Sequence, residues 1–151
     1  MALDMGNPSL NSITKVSVDV SSTNLYSPEF LDVSASLLMT EDDGREPWQS
    51  RPIIEVRAAD NDTDSEGEVQ FRLAPGLSSD LFTVGPTVDD QGFFRTEVWT
   101  KSPLDRERHP EGITLQVLAI DQGVTPKTST ATVHITLDDL NDSPPELHLP
   151  Q

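Results

Sequence analysis

Apolar and polar residues alternate over several short stretches of this chain, and this alternation predicts β-strands that bury one face. The alternation is clear at Val69, Phe71 and Leu73, and again over residues 131–137. Turn-forming residues separate the stretches, and no stretch has the period of an α-helix. Seven strands are predicted, at residues 32–38, 53–58, 69–73, 82–84, 92–100, 114–119 and 130–137. Many short strands of this kind indicate an all-β fold, a seven-stranded Greek-key β-sandwich of immunoglobulin-like architecture.

Composition narrows the classes of partner. The 151 residues carry a formal net charge of −16, which disfavours binding to nucleic acid or to an anionic membrane surface. An apolar content of 34% suits strands that bury only one face. The acidic residues are grouped at the ends of predicted strands, so cations bound there would relieve the repulsion between them.

The absence of cysteine excludes disulfides and thiolate metal sites. Taken alone, it favours a reducing compartment slightly. The sequence contains no signal peptide and no apolar run long enough to cross a bilayer. If the natural protein is secreted or membrane-anchored, we expect those parts to lie outside this chain.

The chain contains one internal sequence repeat. Residues 2–12 resemble residues 119–130, and each copy precedes an alternating stretch, at 16–20 and 133–137, that ends near a proline. This spacing is typical of tandem domains rather than of a short solenoid repeat. We therefore interpret residues 1–26 as the last strand and linker of one repeat and residues 27–147 as a complete repeat. Residues 148–151 begin a further repeat or form a tail.

Acidic clusters occur at 60–62, 104–107, 119–123 and 137–142. Oxygen-rich loops of this kind suit calcium, which binds six to eight oxygens. Asp60, Asp62 and Asp64 imitate the start of an EF-hand loop, but Ser65 stands where that loop needs glycine and Phe71 where it needs an acid. The EF-hand interpretation therefore fails.

In order and spacing these clusters resemble a cadherin repeat. The family's glutamate after the first strand is matched by Glu41, and its Asp-x-Asp pair by Asp60 and Asp62. Its Leu-Asp-Arg-Glu motif is matched at residues 104–107, and its Ala-x-Asp-x-Gly motif at Asp121. Its acidic linker is matched by Asp139, Asn141, Asp142 and Pro145. Ser143 replaces the second linker asparagine at a position where the family uses a backbone carbonyl.

The resemblance implies two calcium-binding junctions. At the N-terminal junction, Ser22 and Leu25 stand where the family has linker aspartates, so we expect one ion there rather than three. Its implied ligands are Asn24, Tyr26, Asp60, Asp62, Glu66 and Asp121, with Tyr26 and Glu66 acting through backbone carbonyls. At the C-terminal junction the implied ligands are Glu41, Asp105, Glu107, Asp139, Leu140, Asn141, Asp142 and Ser143. Arg106 is expected to face away and to pair with a surface acid.

The resemblance further implies a calcium-dependent adhesion or tethering module, an interior segment of an extracellular array in a single-pass plasma-membrane protein. Its partners would be other repeats of the same chain and a homophilic or heterophilic cadherin. Two alternatives stay open: a mechanical spacer with partner binding elsewhere, and a cadherin-like domain of a secreted carbohydrate-binding protein. No catalysis is expected, because His109, His134 and His148 are isolated and no nucleophile motif accompanies them.

Overall fold

The computed structural model describes residues 2–3, 11–18, 23–31, 34–42 and 48–139. Eleven strands and two short helices occur there. The strands are β1 (Ala2–Leu3), β2 (Asn11–Ser12), β3 (Glu29–Phe30), β4 (Ser34–Thr40), β5 (Pro52–Ala59), β6 (Val69–Leu73), β7 (Phe82–Val84), β8 (Val88–Asp89), β9 (Phe94–Thr100), β10 (Ile113–Asp121) and β11 (Thr128–Asp138). A 3₁₀-helix spans Asp64–Gly67, and the α-helix α1 spans Leu77–Leu81.

Two sheets form the body of the molecule. One has the order β4-β11-β10-β6, and the other has the order β3-β5-β9-β7 with β8 also paired to β9. The pairing of β4 with β11 is parallel, and the other pairings are antiparallel. Since β3 belongs to one sheet and β4 to the other, the chain crosses between the two layers near its first proline boundary. The prediction of an all-β sandwich is confirmed.

The core lies between the two sheets and follows the alternation of the sequence. On β10 the side chains of Leu115, Val117 and Ala119 are fully buried, whereas Thr114 and Gln116 between them are exposed. Val98 on β9 meets this layer from the opposite sheet and is also fully buried. Burial of each large aliphatic side chain contributes about 1.5–3 kcal/mol. The packed core therefore fixes the ends of β5 and β10. The loops that leave these strands lie at the two ends of the sandwich, which we call its poles.

The predicted strands agree with the observed ones in place, with two differences. The strands expected at 69–73 and 82–84 have those bounds in the structure. The strand expected at 32–38 is observed as β4 at Ser34–Thr40, and a separate two-residue strand, β3, precedes it in the other sheet. The two-residue strands β1, β2, β3 and β8 and the two helices were not predicted, since their sequences show neither a clear alternation nor a helical period.

In the described residues 2–3 and 11–18, no strand pairs with either sheet of the sandwich. β1 pairs with β2 in a short antiparallel hairpin. The strand expected over 16–20 is not formed across residues 13–18, where Val16 and Val18 are each 78% exposed, and residues 19–22 lie outside the described residues. A strand without a neighbouring strand leaves its backbone hydrogen bonds to water. No helical segment among the described residues has the length and apolar character that a bilayer span requires.

Candidate cation sites at the two poles

Asp121 lies at the centre of the pole formed by the end of β10. The residue is 2% exposed, and Oδ1 of its carboxylate accepts hydrogen bonds from the backbone N–H groups of Gly123 at 3.0 Å and Lys127 at 3.1 Å. The other oxygen, Oδ2, accepts a hydrogen bond from Asn24 Nδ2 at 2.9 Å. The same Asn24 amide donates to the Thr125 carbonyl at 3.0 Å. Asp121 therefore joins the segment before β3 to the loop that follows β10.

The absence of a side chain at Gly123 leaves room for the Asn24 amide. A methyl group at position 123 would lie 2.1 Å from Asn24 Nδ2 and 2.7 Å from its Cγ, so a side chain there would displace the amide. The glycine is buried, and its N–H points to Asp121. The small residue is thus needed for contact rather than for backbone conformation.

Asp60 and Asp62 lie in the loop after β5. The Asp62 N–H donates to Asp60 Oδ1 at 2.8 Å, and the Asp62 carboxylate accepts hydrogen bonds from the N–H groups of Leu25 at 3.0 Å and Tyr26 at 2.9 Å. Gly67 closes the loop, because a methyl group there would lie 2.3 Å from the Asp62 carbonyl oxygen. The loop after β5 therefore holds Leu25 and Tyr26 through their backbone N–H groups.

The pKa of Asp60 is raised above its ordinary value. Burial is the main cause, and the negative charges of Asp62 and Asp121 add to it. The hydrogen bond from the Asp62 N–H and the positive charge of Lys127 act in the opposite direction. The ionised Asp60 is thus held in an environment that disfavours its charge.

Three oxygens at this pole are buried without a hydrogen-bond donor among the described residues. They are Asn24 Oδ1, Asp60 Oδ2 and Glu66 Oε2. A buried acceptor without a donor costs about 1–3 kcal/mol, and a bound cation would offset that cost. The donor set, which combines carboxylate and amide oxygens, fits calcium.

The pole brings its predicted ligands together without clustering their carboxylates. Hydrogen bonds link Asn24 to Asp121 and link Asp62 to the backbone of Tyr26. In the part of the chain that the structure describes, no three carboxylates of this pole have oxygens within 4.8 Å of one another. The site would therefore depend on neutral oxygens from the linker as well as on acids.

At the opposite pole, three predicted ligands converge. Glu41, Asp105 and Glu107 each offer an oxygen, and these oxygens lie within 4.8 Å of one another. Glu41 is 3% exposed, and its Oε2 accepts a hydrogen bond from the Arg106 N–H at 2.8 Å. Asp105 accepts hydrogen bonds from the Arg108 N–H at 3.0 Å and forms an ion pair with Arg108 Nε at 3.2 Å.

Asp42, which was not predicted as a site residue, explains how this convergence arises. Its N–H donates to the Leu104 carbonyl at 2.9 Å, and its Oδ2 accepts from the Leu104 N–H at 2.8 Å. The Glu41 N–H donates to the Asp138 carbonyl at 3.1 Å. The segment after β4 is thus fixed both to the loop before Asp105 and to the end of β11. Its sequence signal is weak, since an acid beside Glu41 looks like another solvated charge.

The remaining predicted ligands of this pole are only partly described. Asp139 is half-exposed and lies 3.9 Å from Arg106 Nη1, so Arg106 pairs with a predicted ligand and not with an unrelated surface acid. The other four predicted ligands lie outside the described residues: Leu140, Asn141, Asp142 and Ser143.

Comparisons with known proteins agree with the motifs. Residues 45–138 match the family described as Cadherin domain. The chain is 35% identical to human protocadherin Fat 4 over 145 residues and 36% identical to human cadherin-23 over 147 residues. These alignments cover 96% and 97% of this chain but only 3% and 4% of the relatives.

Solved structures show the same fold. The protocadherin gammaB4 extracellular domain superposes with a TM-score of 0.60 at 27% identity, over 79% of this chain and 18% of that one. Mouse cadherin-23 EC22-24 superposes with a TM-score of 0.63 at 24% identity, over 93% of this chain and 41% of that one, a likeness of fold alone.

The family assignment confirms the prediction that this chain is not an enzyme, because cadherin repeats are modules of adhesion proteins. It also confirms the resemblance inferred from the order of the acidic motifs. The chain belongs to the cadherin superfamily, and its sandwich is a cadherin repeat.

Proposed function

We propose that this chain is a calcium-dependent adhesion or tethering module from the interior of an extracellular cadherin array. Residues 1–26 would be the tail of a preceding repeat, 27–147 the complete repeat, and 148–151 the start of the next repeat or a tail. The observation that carries the proposal is the convergence of Glu41, Asp105 and Glu107 at the end of the sandwich, with Glu41 almost fully buried.

Electrostatics explain why this cluster favours a cation. Three carboxylates with oxygens within 4.8 Å repel one another, and the repulsion is strongest for a buried group such as Glu41. The net charge of −16 adds to this repulsion. Calcium would reduce the repulsion when bound and accepts irregular sets of oxygens, whereas magnesium requires compact octahedral geometry. Glu41, Asp105, Glu107 and Asp139 would hold it, together with Leu140, Asn141, Asp142 and Ser143.

The other pole supports a second site of lower charge. Among the described residues there, Asn24 and Asp60 present buried oxygens without a donor, and Asp62, Asp121 and the backbone carbonyls of Tyr26 and Glu66 complete the proposed ligands of a single ion. With one ion rather than several, this junction would be stiffened less by calcium than the C-terminal one.

The position of the sites at the two poles suits a module in an array. Bound ions there would connect this repeat to its neighbours in the same chain and keep the array extended. An extracellular location in a plasma-membrane protein and a homophilic or heterophilic cadherin partner follow by analogy with the relatives.

The proposal is tested by urea unfolding in calcium, in magnesium and in chelator. A calcium concentration tenfold above the dissociation constant adds about 1.4 kcal/mol of stability by mass action, and magnesium should add much less. Glu41→Gln keeps the acceptor for the Arg106 N–H but removes the buried charge, so we expect its calcium affinity at this pole to fall at least tenfold. Glu97→Gln, which removes an exposed charge from the middle of β9, is the matched control and should bind as the wild type does. Equal stability of the wild type in calcium and in chelator would refute the proposal.

A further inference from the structure

The peptide unit at Leu25 is held on both sides by charged side chains of the repeat. Its N–H donates to both carboxylate oxygens of Asp62 at 3.0 Å. Its carbonyl accepts a hydrogen bond from Lys127 Nζ at 2.7 Å. The next residue, Tyr26, also donates its N–H to Asp62 at 2.9 Å. Two oppositely charged side chains therefore fix a linker residue that itself offers no side-chain oxygen.

Lys127 is anchored at its own backbone. Its N–H donates to Asp121 Oδ1 at 3.1 Å, and its carbonyl accepts from the Asp121 N–H at 3.1 Å. These two backbone hydrogen bonds close the loop after β10. Because the Lys127 backbone is fixed, only rotation of its side chain can move the ammonium group. Lys127 is partly buried, and its charge opposes the rise in the pKa of Asp60, so it faces the acidic pole.

We propose that Asp62 and Lys127 form a clamp that fixes the linker at Leu25 to this repeat without a bound cation, and that Lys127 weakens calcium binding at the same pole. Lys127 is a positioning residue in this arrangement and not a ligand. The clamp stands on the hydrogen bonds alone, whereas the effect of Lys127 on calcium binding rests on the proposed function. The clamp makes the linker rigid in chelator, while the fixed positive charge of Lys127 repels a cation at the same pole.

The test compares Lys127→Met with Lys127→Arg and Lys101→Met in the full chain. Methionine keeps the aliphatic length without the charge, and arginine keeps the charge and the donor. Lys101 is exposed and follows β9 at the opposite pole, so its substitution removes the same charge at a distance. Backbone ¹⁵N relaxation in chelator gives the order parameters of Leu25 and Tyr26, and the Val117 amide in the core reports that each variant is folded.

In the wild type and in Lys101→Met we expect order parameters near 0.85 at Leu25, the value of a rigid backbone. In Lys127→Met they should fall toward 0.6 or below, and Lys127→Arg should restore them at least in part. A mobile Leu25 in the wild type, or an unchanged Leu25 in Lys127→Met, would overturn the clamp.

Calcium affinity at this pole is read from the titration of the Gly123 amide shift. Loss of one nearby positive charge should tighten binding about threefold to tenfold in Lys127→Met, with no such change in Lys127→Arg or Lys101→Met. Unchanged affinity in Lys127→Met would refute the electrostatic part of the proposal. If no variant binds calcium, the proposed function fails, but the order parameters in chelator still decide the clamp.

Discussion

Asp121→Ala should destabilise the repeat even when no cation is present. The substitution removes an acceptor that is 2% exposed and takes hydrogen bonds from Asn24, Gly123 and Lys127. The Gly123 N–H is buried and would be left without an acceptor, at a cost of about 1–3 kcal/mol. The donors of Asn24 and Lys127 can be rehydrated, so each of those bonds is worth about 1 kcal/mol. Loss of a negative charge among acids offsets part of this sum, and we expect a decrease of about 2–4 kcal/mol in the free energy of unfolding.

Asp121→Asn separates the hydrogen bonds from the charge. The asparagine carbonyl can still accept from the Gly123 and Lys127 N–H groups, whereas its amide cannot accept the hydrogen bond that Asn24 Nδ2 donates to Asp121. Stability in chelator should therefore fall by about 1 kcal/mol, less than in Asp121→Ala. Both variants should lose the calcium stabilisation of this pole, which amounts to about 2.7 kcal/mol when calcium is a hundredfold above its dissociation constant.

The assay is urea unfolding followed by tryptophan fluorescence, with and without calcium, on the assumption of two-state behaviour. Trp99 on β9 is partly buried and reports on the sandwich. A loss below about 1 kcal/mol for Asp121→Ala in chelator would refute the hydrogen-bond argument. Full retention of the calcium effect in Asp121→Asn would show that this pole does not depend on the Asp121 charge.

Two further substitutions test the same pole. Asp60→Asn keeps the acceptor for the Asp62 N–H and removes a carboxylate whose charged form is disfavoured by burial, which raises its pKa. In calcium-free buffer at pH 7 the variant should therefore be more stable than the wild type. Because the folded state holds the Asp60 proton more tightly, the contribution of this group to stability is complete below the unfolded pKa of about 3.9 and is lost as the pH rises through the raised folded pKa. The advantage of the asparagine variant should therefore shrink between pH 7 and pH 4 in urea unfolding, and a less stable variant at pH 7 would contradict this account. Gly123→Ala should displace Asn24 and abolish the calcium-dependent shift of the Asp62 amide while leaving the core amides of β10 unchanged; binding at wild-type affinity would show that the contact with Asn24 is dispensable.

The strands were predictable because their signal is local. On β10 and over residues 131–137 of β11 every second side chain is buried, and a period of two is visible in the sequence without any knowledge of neighbours. Strand β3 was not predictable, because two residues carry no period and only the fold shows that they pair with β5 in the other sheet. The hydrogen bonds of Asp42 to Leu104 were missed for the same reason, since both partners belong to loops that are distant in the chain.

Which side chains can bind a cation, and in what order they occur along the chain, follows from the amino-acid sequence, because oxygen chemistry is a property of each residue. Tertiary structure decided which of them meet. Glu41 contacts Arg106 across 65 residues, because β4 pairs with β11 and Asp42 fixes the loop before Asp105. At the other pole the structure used Asp62 and Lys127 to hold the backbone of the linker, a role that neither side chain reveals, since it depends on where the peptide groups of a remote segment come to lie.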